Sequence, residues 1–142
     1  MKCSESRYCS CLYFTANALA RKVEKLATQS WKRAGLPPSH GYLLILALEE
    51  PGIQPGQIAE QMQLTPSTIT RLIEKLEEKK LVIRSTEGKL TNVYPTPMAK
   101  EMKSLIRECI ADFHEKYARI LGKEKTKRLV QKMNLVSDTL EI

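Results

Sequence analysis

The sequence lacks any apolar run long enough to cross a membrane. Its longest uninterrupted apolar stretch covers residues 42–48, whereas a membrane-spanning helix needs about 20 residues. The first ten residues are polar and contain no apolar segment of the kind found in secretion signals. These absences predict a cytoplasmic protein without membrane attachment, in which the four cysteines are reduced.

Motifs of the common enzyme classes are also missing. The only histidines are His40 and His114, and neither stands in a metal-binding or nucleophile motif. The sequence contains no phosphate-binding glycine loop, no paired-carboxylate signature and no serine–histidine–aspartate pattern. We therefore predict that the protein is not an enzyme and that it uses no metal and no cofactor.

Aromatic residues are few, and cationic residues are in excess. Aromatic residues make up 6% and hydrophobic residues 42% of the 142 residues, which is typical of a helix-rich globular protein of one domain. The chain has 23 Lys and Arg residues against 16 Asp and Glu residues, a net charge of +7. This excess indicates a polyanionic partner, which is either a nucleic acid or an anionic membrane surface.

Apolar periodicity divides the chain into six helices and one hairpin. The predicted helices cover residues 8–34, 40–49, 55–63, 66–79, 97–121 and 123–140, and the predicted strands cover residues 81–85 and 90–94. Ser39, Thr65 and Thr96 are the predicted N-caps, and Gly122 is the predicted end of the fifth helix. The fold class is therefore mainly α with a small β-hairpin.

Residues 58–73 have the pattern of a helix-turn-helix. Ala59 is small, as a close crossing of two helices requires, and Leu64 is predicted to fill the turn. Thr65 can cap the second helix, and Pro66 stands at the first helical position, where proline is best tolerated. The hairpin that follows is then the wing of a winged helix-turn-helix domain.

The second helix of this pair has the composition of a DNA-recognition helix. Short hydroxyl side chains on its first turns let the backbone approach DNA, and an arginine can make a bidentate contact with guanine. Lysines further along, together with residues of the hairpin, supply contacts to phosphates. The predicted DNA-binding residues are Ser67, Thr68, Thr70, Arg71, Lys75, Lys80, Arg84 and Lys89.

The segment from Ile58 to Val82, above all Ala59-Glu60-Gln61 and the run PSTITRLIEKLEEKKLV, resembles the MarR family of bacterial transcription regulators. The order of predicted elements extends this resemblance over nearly the whole chain. It implies a single MarR-like domain over residues 1–142. Residues 36–96 would form its winged DNA-binding part, and residues 8–35 and 97–142 its helical dimerisation part.

The resemblance also implies how such a protein works. The protein would be a homodimer that binds a pseudo-palindromic operator in double-stranded DNA and represses transcription. A small aromatic ligand or an oxidant would release it from DNA. The family's ligand crevice would lie near Trp31, His40 and Tyr42, although core packing explains these three residues at least equally well.

Three positions depart from the family pattern. Lys80 stands where the family usually has the glycine that ends the recognition helix in a left-handed conformation. The wing tip, residues 86–89, lacks the family's arginine, and Lys89 is its only cation. Ala99 stands where a glycine is usual, and helix propensity makes that exchange favourable.

Cysteines near the amino terminus allow three interpretations. Cys9 and Tyr13 match the spacing of a redox-sensing pair in MarR proteins that detect organic hydroperoxides. Cys3, Cys9 and Cys11 could instead bind a metal, although their spacing is not a recognised zinc pattern, or they could be inert.

Two functions remain open for the winged helix. The first is a sequence-specific, DNA-binding transcription regulator. The alternative is a winged-helix scaffold that binds protein partners and has no sequence-specific contact with DNA.

Overall fold

A computed structural model describes all 142 residues and shows seven α-helices with one two-stranded hairpin. In chain order these are α1 (Leu12–Trp31), α2 (Pro38–Glu49), α3 (Pro55–Met62), α4 (Pro66–Glu78), β1 (Val82–Glu87), β2 (Leu90–Pro95), α5 (Pro97–Glu101), α6 (Lys103–Leu121) and α7 (Lys123–Thr139). Short 3-10 turns cover Cys3–Glu5 and Lys32–Ala34. The predicted fold class is confirmed. Every helix is too short or too polar to cross a membrane.

The first two helices begin at residues other than those predicted. The first helix starts at Leu12 rather than at residue 8, because Cys11 is extended (φ −93°, ψ 121°) and acts as the N-cap. The second starts at Pro38 with Pro37 as its N-cap, so the prediction of Ser39 as the cap is wrong. Proline suits the first helical turn, where its missing N–H costs no hydrogen bond.

The predicted fifth helix is broken into α5 and α6. Its start is as predicted, because the Thr96 hydroxyl accepts a hydrogen bond from the Ala99 N–H (3.2 Å). At Met102 the backbone departs from the helix (φ −82°, ψ −5°), and its N–H donates to the carbonyls of Ala99 and Lys100. The break separates α5, which packs on α2 and β2, from α6, which packs along α1. Gly122 ends α6, as predicted.

The hairpin is an antiparallel pair whose register runs from Val82 opposite Pro95 to Glu87 opposite Leu90. Its turn is therefore shorter than the predicted residues 86–89 and consists of Gly88 and Lys89. Gly88 has a φ of +63°, which glycine adopts without strain. Ile53, in the loop after α2, forms an isolated bridge with Val93 and ties the base of the hairpin to the helices.

One hydrophobic core of 19 residues connects the helical and winged parts. Trp31, at the end of α1, is completely buried and packs directly on Gly41 of α2. Its ring also lies 5.6 Å from that of Tyr42. Any side chain at position 41 would overlap the Trp31 ring, so this glycine allows α1 and α2 to approach each other closely.

A large apolar surface remains exposed on the helical part. The helical spacing of the apolar residues in α7 predicts a buried stripe, but each of them is at least 40% exposed in the single chain; they are Leu129, Val130, Met133 and Val136. Leu19 and Val23 on α1 and Ile120 at the end of α6 are exposed as well. The apolar stripe of α7 therefore has no partner within the chain.

We expect Gly41→Ala to destabilise the protein by about 1–3 kcal/mol, because the new methyl group overlaps the Trp31 ring in a packed core. Urea denaturation measures the free energy of unfolding. Gly56→Ala is the matched control, since no atom lies within 4 Å of a Cβ at Gly56 in α3. The control should be neutral or slightly stabilising, and equal destabilisation of both variants would contradict the role of Gly41.

Candidate nucleic-acid interface

The helix-turn-helix consists of α3, α4 and a turn closed by backbone hydrogen bonds. Gln63 adopts the left-handed conformation (φ 54°), and the Leu64 N–H donates to the Ala59 carbonyl (3.1 Å). Ala59 is buried, as its small size predicted. Leu64 is 38% exposed, however, so the prediction that it fills the turn is wrong. Backbone hydrogen bonds, rather than a buried apolar side chain, therefore hold the conformation of this turn.

Thr65 organises the start of α4 as its predicted N-cap. Its Oγ1 accepts from the Thr68 N–H (3.4 Å) and lies 2.9 Å from Thr68 Oγ1 and 3.2 Å from Ser67 Oγ. Thr70 Oγ1 donates its proton to the Pro66 carbonyl (3.0 Å), so towards an incoming ligand this hydroxyl can only accept. The first turn of α4 therefore presents pre-oriented hydroxyl groups.

Arg71 and Lys75 are exposed on α4, and neither makes a salt bridge within the chain. The opposite side of the helix holds Ile69, Ile73 and Leu76 in the core. Burial of this stripe directs the guanidinium of Arg71 away from the protein. It is thus available for a bidentate contact with a base or a phosphate.

The end of α4 is fixed by Lys80 and Thr96. Lys80 has a φ of +60°, the left-handed conformation that glycine adopts more easily. Its carbonyl accepts from Thr96 Oγ1 (2.8 Å), the same oxygen that caps α5. Thr96 was predicted as a cap, but its bond to the end of the recognition helix was missed, because it joins residues 16 positions apart.

Arg84 is only partly available for DNA. Its guanidinium lies 2.8 Å from a carboxylate oxygen of Glu77, and both side chains are about one-third exposed. The pair connects the wing to the recognition helix and offsets part of the positive charge predicted to contact phosphates. Lys89 lies exposed in the hairpin turn.

His40 is a further residue near the recognition helix. Its Nδ1 lies 3.5 Å from Lys79 Nζ at the end of α4. Burial lowers the pKa of His40, and the positive charges of Lys79 and Lys75 lower it further. The imidazole is therefore neutral at pH 7 and can accept a hydrogen bond from Lys79.

Positive charge is not concentrated in the winged part. Residues 36–96 contain six Lys and Arg residues and seven Asp and Glu residues, a net charge of −1. The rest of the chain contains 17 Lys and Arg residues and nine Asp and Glu residues, a net charge of +8. The overall charge of +7 therefore does not describe the charge of the predicted DNA-binding surface. The cations of that surface lie locally on α4.

Comparison with known proteins shows a similarity to the MarR family. The sequence pattern of the MarR family matches residues 34–89, which contain the helix-turn-helix and the start of the hairpin. The HTH-type transcriptional repressor MdtR of Bacillus subtilis (strain 168) is 24% identical over 119 residues, 84% of this chain and 77% of MdtR. The chain is therefore similar to MarR family proteins over its helix-turn-helix and the hairpin's first strand.

Solved structures of MarR proteins share the fold over nearly the whole chain. The S. aureus MepR–DNA complex superposes with a TM-score of 0.78 at 16% identity, covering 91% of this chain and 98% of that one. CouR from Rhodococcus jostii RHA1, bound to p-coumaroyl-CoA, superposes with a TM-score of 0.76 at 18% identity. That match covers 100% of this chain and 99% of CouR.

Two departures from the MarR pattern have a structural explanation. Lys80 adopts the conformation of the usual glycine, at a small cost in backbone energy, and places a cation at the end of α4. Ala99 is completely buried, so the core accommodates the extra methyl group.

The cysteines lie differently from the prediction for a redox-sensing pair. Cys9 is exposed before the first helix, and only Tyr13 lies within it, so the two residues are not one helical turn apart. The predicted position of Cys9 at the helix start is therefore wrong. Cys11 occupies the N-cap, and no three His, Cys, Asp or Glu residues form a group that could bind a metal ion. A redox role for Cys9 and Tyr13 stays a prediction.

We expect Arg71→Ala to weaken binding to a specific DNA site by about 1–3 kcal/mol and to relax the base preference at one position in each half-site. Competition binding with a set of single-base site variants measures this. Lys80→Ala is the comparison, because a lost phosphate contact weakens all sequences alike. Equal losses on specific and random DNA for Arg71→Ala would exclude this side chain from base reading.

Proposed function

We propose that this protein is a transcription regulator of the MarR type that binds double-stranded DNA in a sequence-specific manner. The observation that supports this most strongly is the first half of α4. Its hydroxyl groups are oriented by Thr65, and Arg71 is exposed without an ion-pair partner. In the winged helix-turn-helix fold this helix enters the major groove. Ser67, Thr68, Thr70 and Arg71 face the bases, and Lys75, Lys80, Arg84 and Lys89 face phosphates.

The direction of regulation is repression in this proposal. MdtR, which shares 24% identity, is a transcriptional repressor. A repressor of this kind acts by occupying its operator and needs no catalytic group. We place the protein in the cytoplasm, where chromosomal DNA is accessible to it.

We further propose that the protein is a homodimer. The exposed stripe of α7, with Leu19 of α1 and Ile120 of α6, is larger than the scattered apolar residues expected on a monomer. A two-fold dimer would cover this surface and place two recognition helices about one turn of DNA apart. Its target would then be a pseudo-palindromic operator. In this arrangement residues 36–96 bind DNA and residues 8–35 and 97–142 form the dimer.

A small aromatic ligand is the proposed effector. CouR, with the same fold, has been solved with p-coumaroyl-CoA and also with a 23-mer DNA duplex. In this chain, a cleft of about 460 Å³ lies between the helical part and the helix-turn-helix. A ligand there would contact both parts and could alter the position of α4.

A protein-binding scaffold is the second candidate function. The net charge of −1 over residues 36–96 favours it, because most DNA-binding modules are basic. Only the DNA-binding function predicts that the protein binds nucleic acid and that this binding weakens as the salt concentration rises.

We expect the protein to bind DNA from upstream of its own gene in a gel-shift assay. The logarithm of the binding constant should fall linearly with the logarithm of salt concentration, because each phosphate contact releases counterions. Random DNA of equal length is the control and should bind at least about 10³-fold more weakly. Absence of binding at 50 mM salt would support the scaffold instead.

We expect sedimentation equilibrium at micromolar concentration to show a dimer. Met133→Glu places a charge in the exposed stripe of α7 and should produce a monomer, because an unpaired carboxylate would be buried in the interface. Leu90→Glu is the matched control: Leu90 is similarly exposed, but it lies on the wing. A monomeric wild type, or equal dissociation of both variants, would contradict the proposed interface.

A further inference from the structure

The cleft between the two parts of the chain has a mostly apolar wall. It is lined by Val23 and Ala27 of α1, Tyr42 and Leu46 of α2, Met62 of α3 and Phe113 of α6. Its volume of about 460 Å³ lies in the range of small-molecule sites. Leu64, in the turn before the recognition helix, also lines it, which explains why this side chain does not fill the turn.

Glu24 is the only ionised residue among those that line the cleft, and no Lys, Arg or His lines it. The other polar groups come from Ser39, Gln61 and Tyr42. Burial raises the pKa of the Tyr42 hydroxyl, which is therefore neutral at pH 7. The carboxylate of Glu24 makes no salt bridge within the chain.

Neighbouring cations do not reverse the charge of this wall. Lys22 and Lys25 flank Glu24 in sequence but are rotated about 200° and about 100° from it around α1, so both project from a different face. Arg21 stands three residues before Glu24 on the same side of α1, but it makes no salt bridge with Glu24 and does not line the cleft. Lys22 contributes to a separate depression formed with the amino-terminal segment. His40 follows Ser39 but faces Lys79 of α4 and is neutral.

Two aromatic rings in the cleft wall also favour a cationic ligand. Tyr42 and Phe113 lie in the wall, and the face of an aromatic ring attracts cations, most strongly where water is excluded. An anionic ligand would meet the Glu24 carboxylate with no cation to bind it. A cationic ligand would meet both a carboxylate and aromatic rings.

We propose that this cleft binds a hydrophobic cation, a bulky apolar or aromatic molecule with a single positive charge, and that Glu24 selects the charge. The site thereby discriminates against phenolates, carboxylates and other anionic aromatic molecules. The role of this cation as an effector rests on the proposed function. Binding to the cleft does not, and it can be measured in the absence of DNA.

Two probes of the same shape and opposite charge test the proposal: tetraphenylphosphonium and tetraphenylborate. Trp31 is the only tryptophan and its ring packs against Tyr42, so its fluorescence reports occupancy of the cleft. We expect the wild-type chain to bind tetraphenylphosphonium saturably and at least about tenfold more tightly than tetraphenylborate. The overall charge of +7 would favour the anion if adsorption were non-specific. Preference for tetraphenylborate, or no saturable binding of either probe, would overturn the proposal.

Variants of Glu24 test the origin of the selectivity. Glu24→Gln should weaken tetraphenylphosphonium binding by about tenfold, and Glu24→Lys should reverse the preference between the probes. Glu60→Gln is the matched control, because Glu60 is exposed on α3 beside the cleft but does not line it. Equal effects of Glu24→Gln and Glu60→Gln would overturn the role of Glu24. A failed gel shift would contradict DNA binding and leave this titration unaffected, so the two proposals fail separately.

Discussion

The close packing of Trp31 on Gly41 is the contact on which the arrangement of the two parts depends. Trp31 ends α1 in the helical part, and Gly41 lies in α2, which packs on α4, β2 and α6. Because Gly41 has no side chain, the Trp31 ring packs directly on the backbone of α2, and any larger residue at position 41 would push the two helices apart. A change at this contact would alter the position of α2 and, through it, that of the recognition helix.

The recognition helix is held at both ends by hydroxyl groups of threonine. Thr65 caps its start and orients the side chains of Ser67 and Thr68. Thr96 binds the carbonyl of Lys80 at its end and caps α5 with the same oxygen. The position of α4 is thus coupled to α5, which packs against α6 of the helical part. Leu64, which lines the cleft, directly precedes Thr65, the N-cap of α4, so a ligand in the cleft would lie beside the start of this helix.

The surface of α4 and the cleft differ in their charge. The winged part has a net charge of −1, so the proposed DNA contact would depend on where Arg71, Lys75 and Lys80 are placed rather than on an overall excess of cations. Glu77 holds Arg84 beside the recognition helix, which lowers the number of free cations there further. The cleft, by contrast, contains a single carboxylate among apolar side chains. The chain therefore combines a locally cationic surface on α4 with a cleft whose one charged side chain is acidic.

The sequence by itself determined the order of the helices, the wing, the caps at Thr65 and Thr96 and the exposed face of α4. Each of these follows from residues within one or two helical turns, so periodicity and cap chemistry are sufficient. Only the tertiary structure decided the break at Met102, the exposure of Leu64, the pairing of Arg84 with Glu77 and the position of Cys9 ahead of the first helix. It also decided that Trp31 meets Gly41 and that Glu24 lines a cleft with Tyr42 and Phe113. These features depend on backbone geometry or on side chains distant in sequence that meet only when the helices pack, and a local pattern contains no information about such contacts.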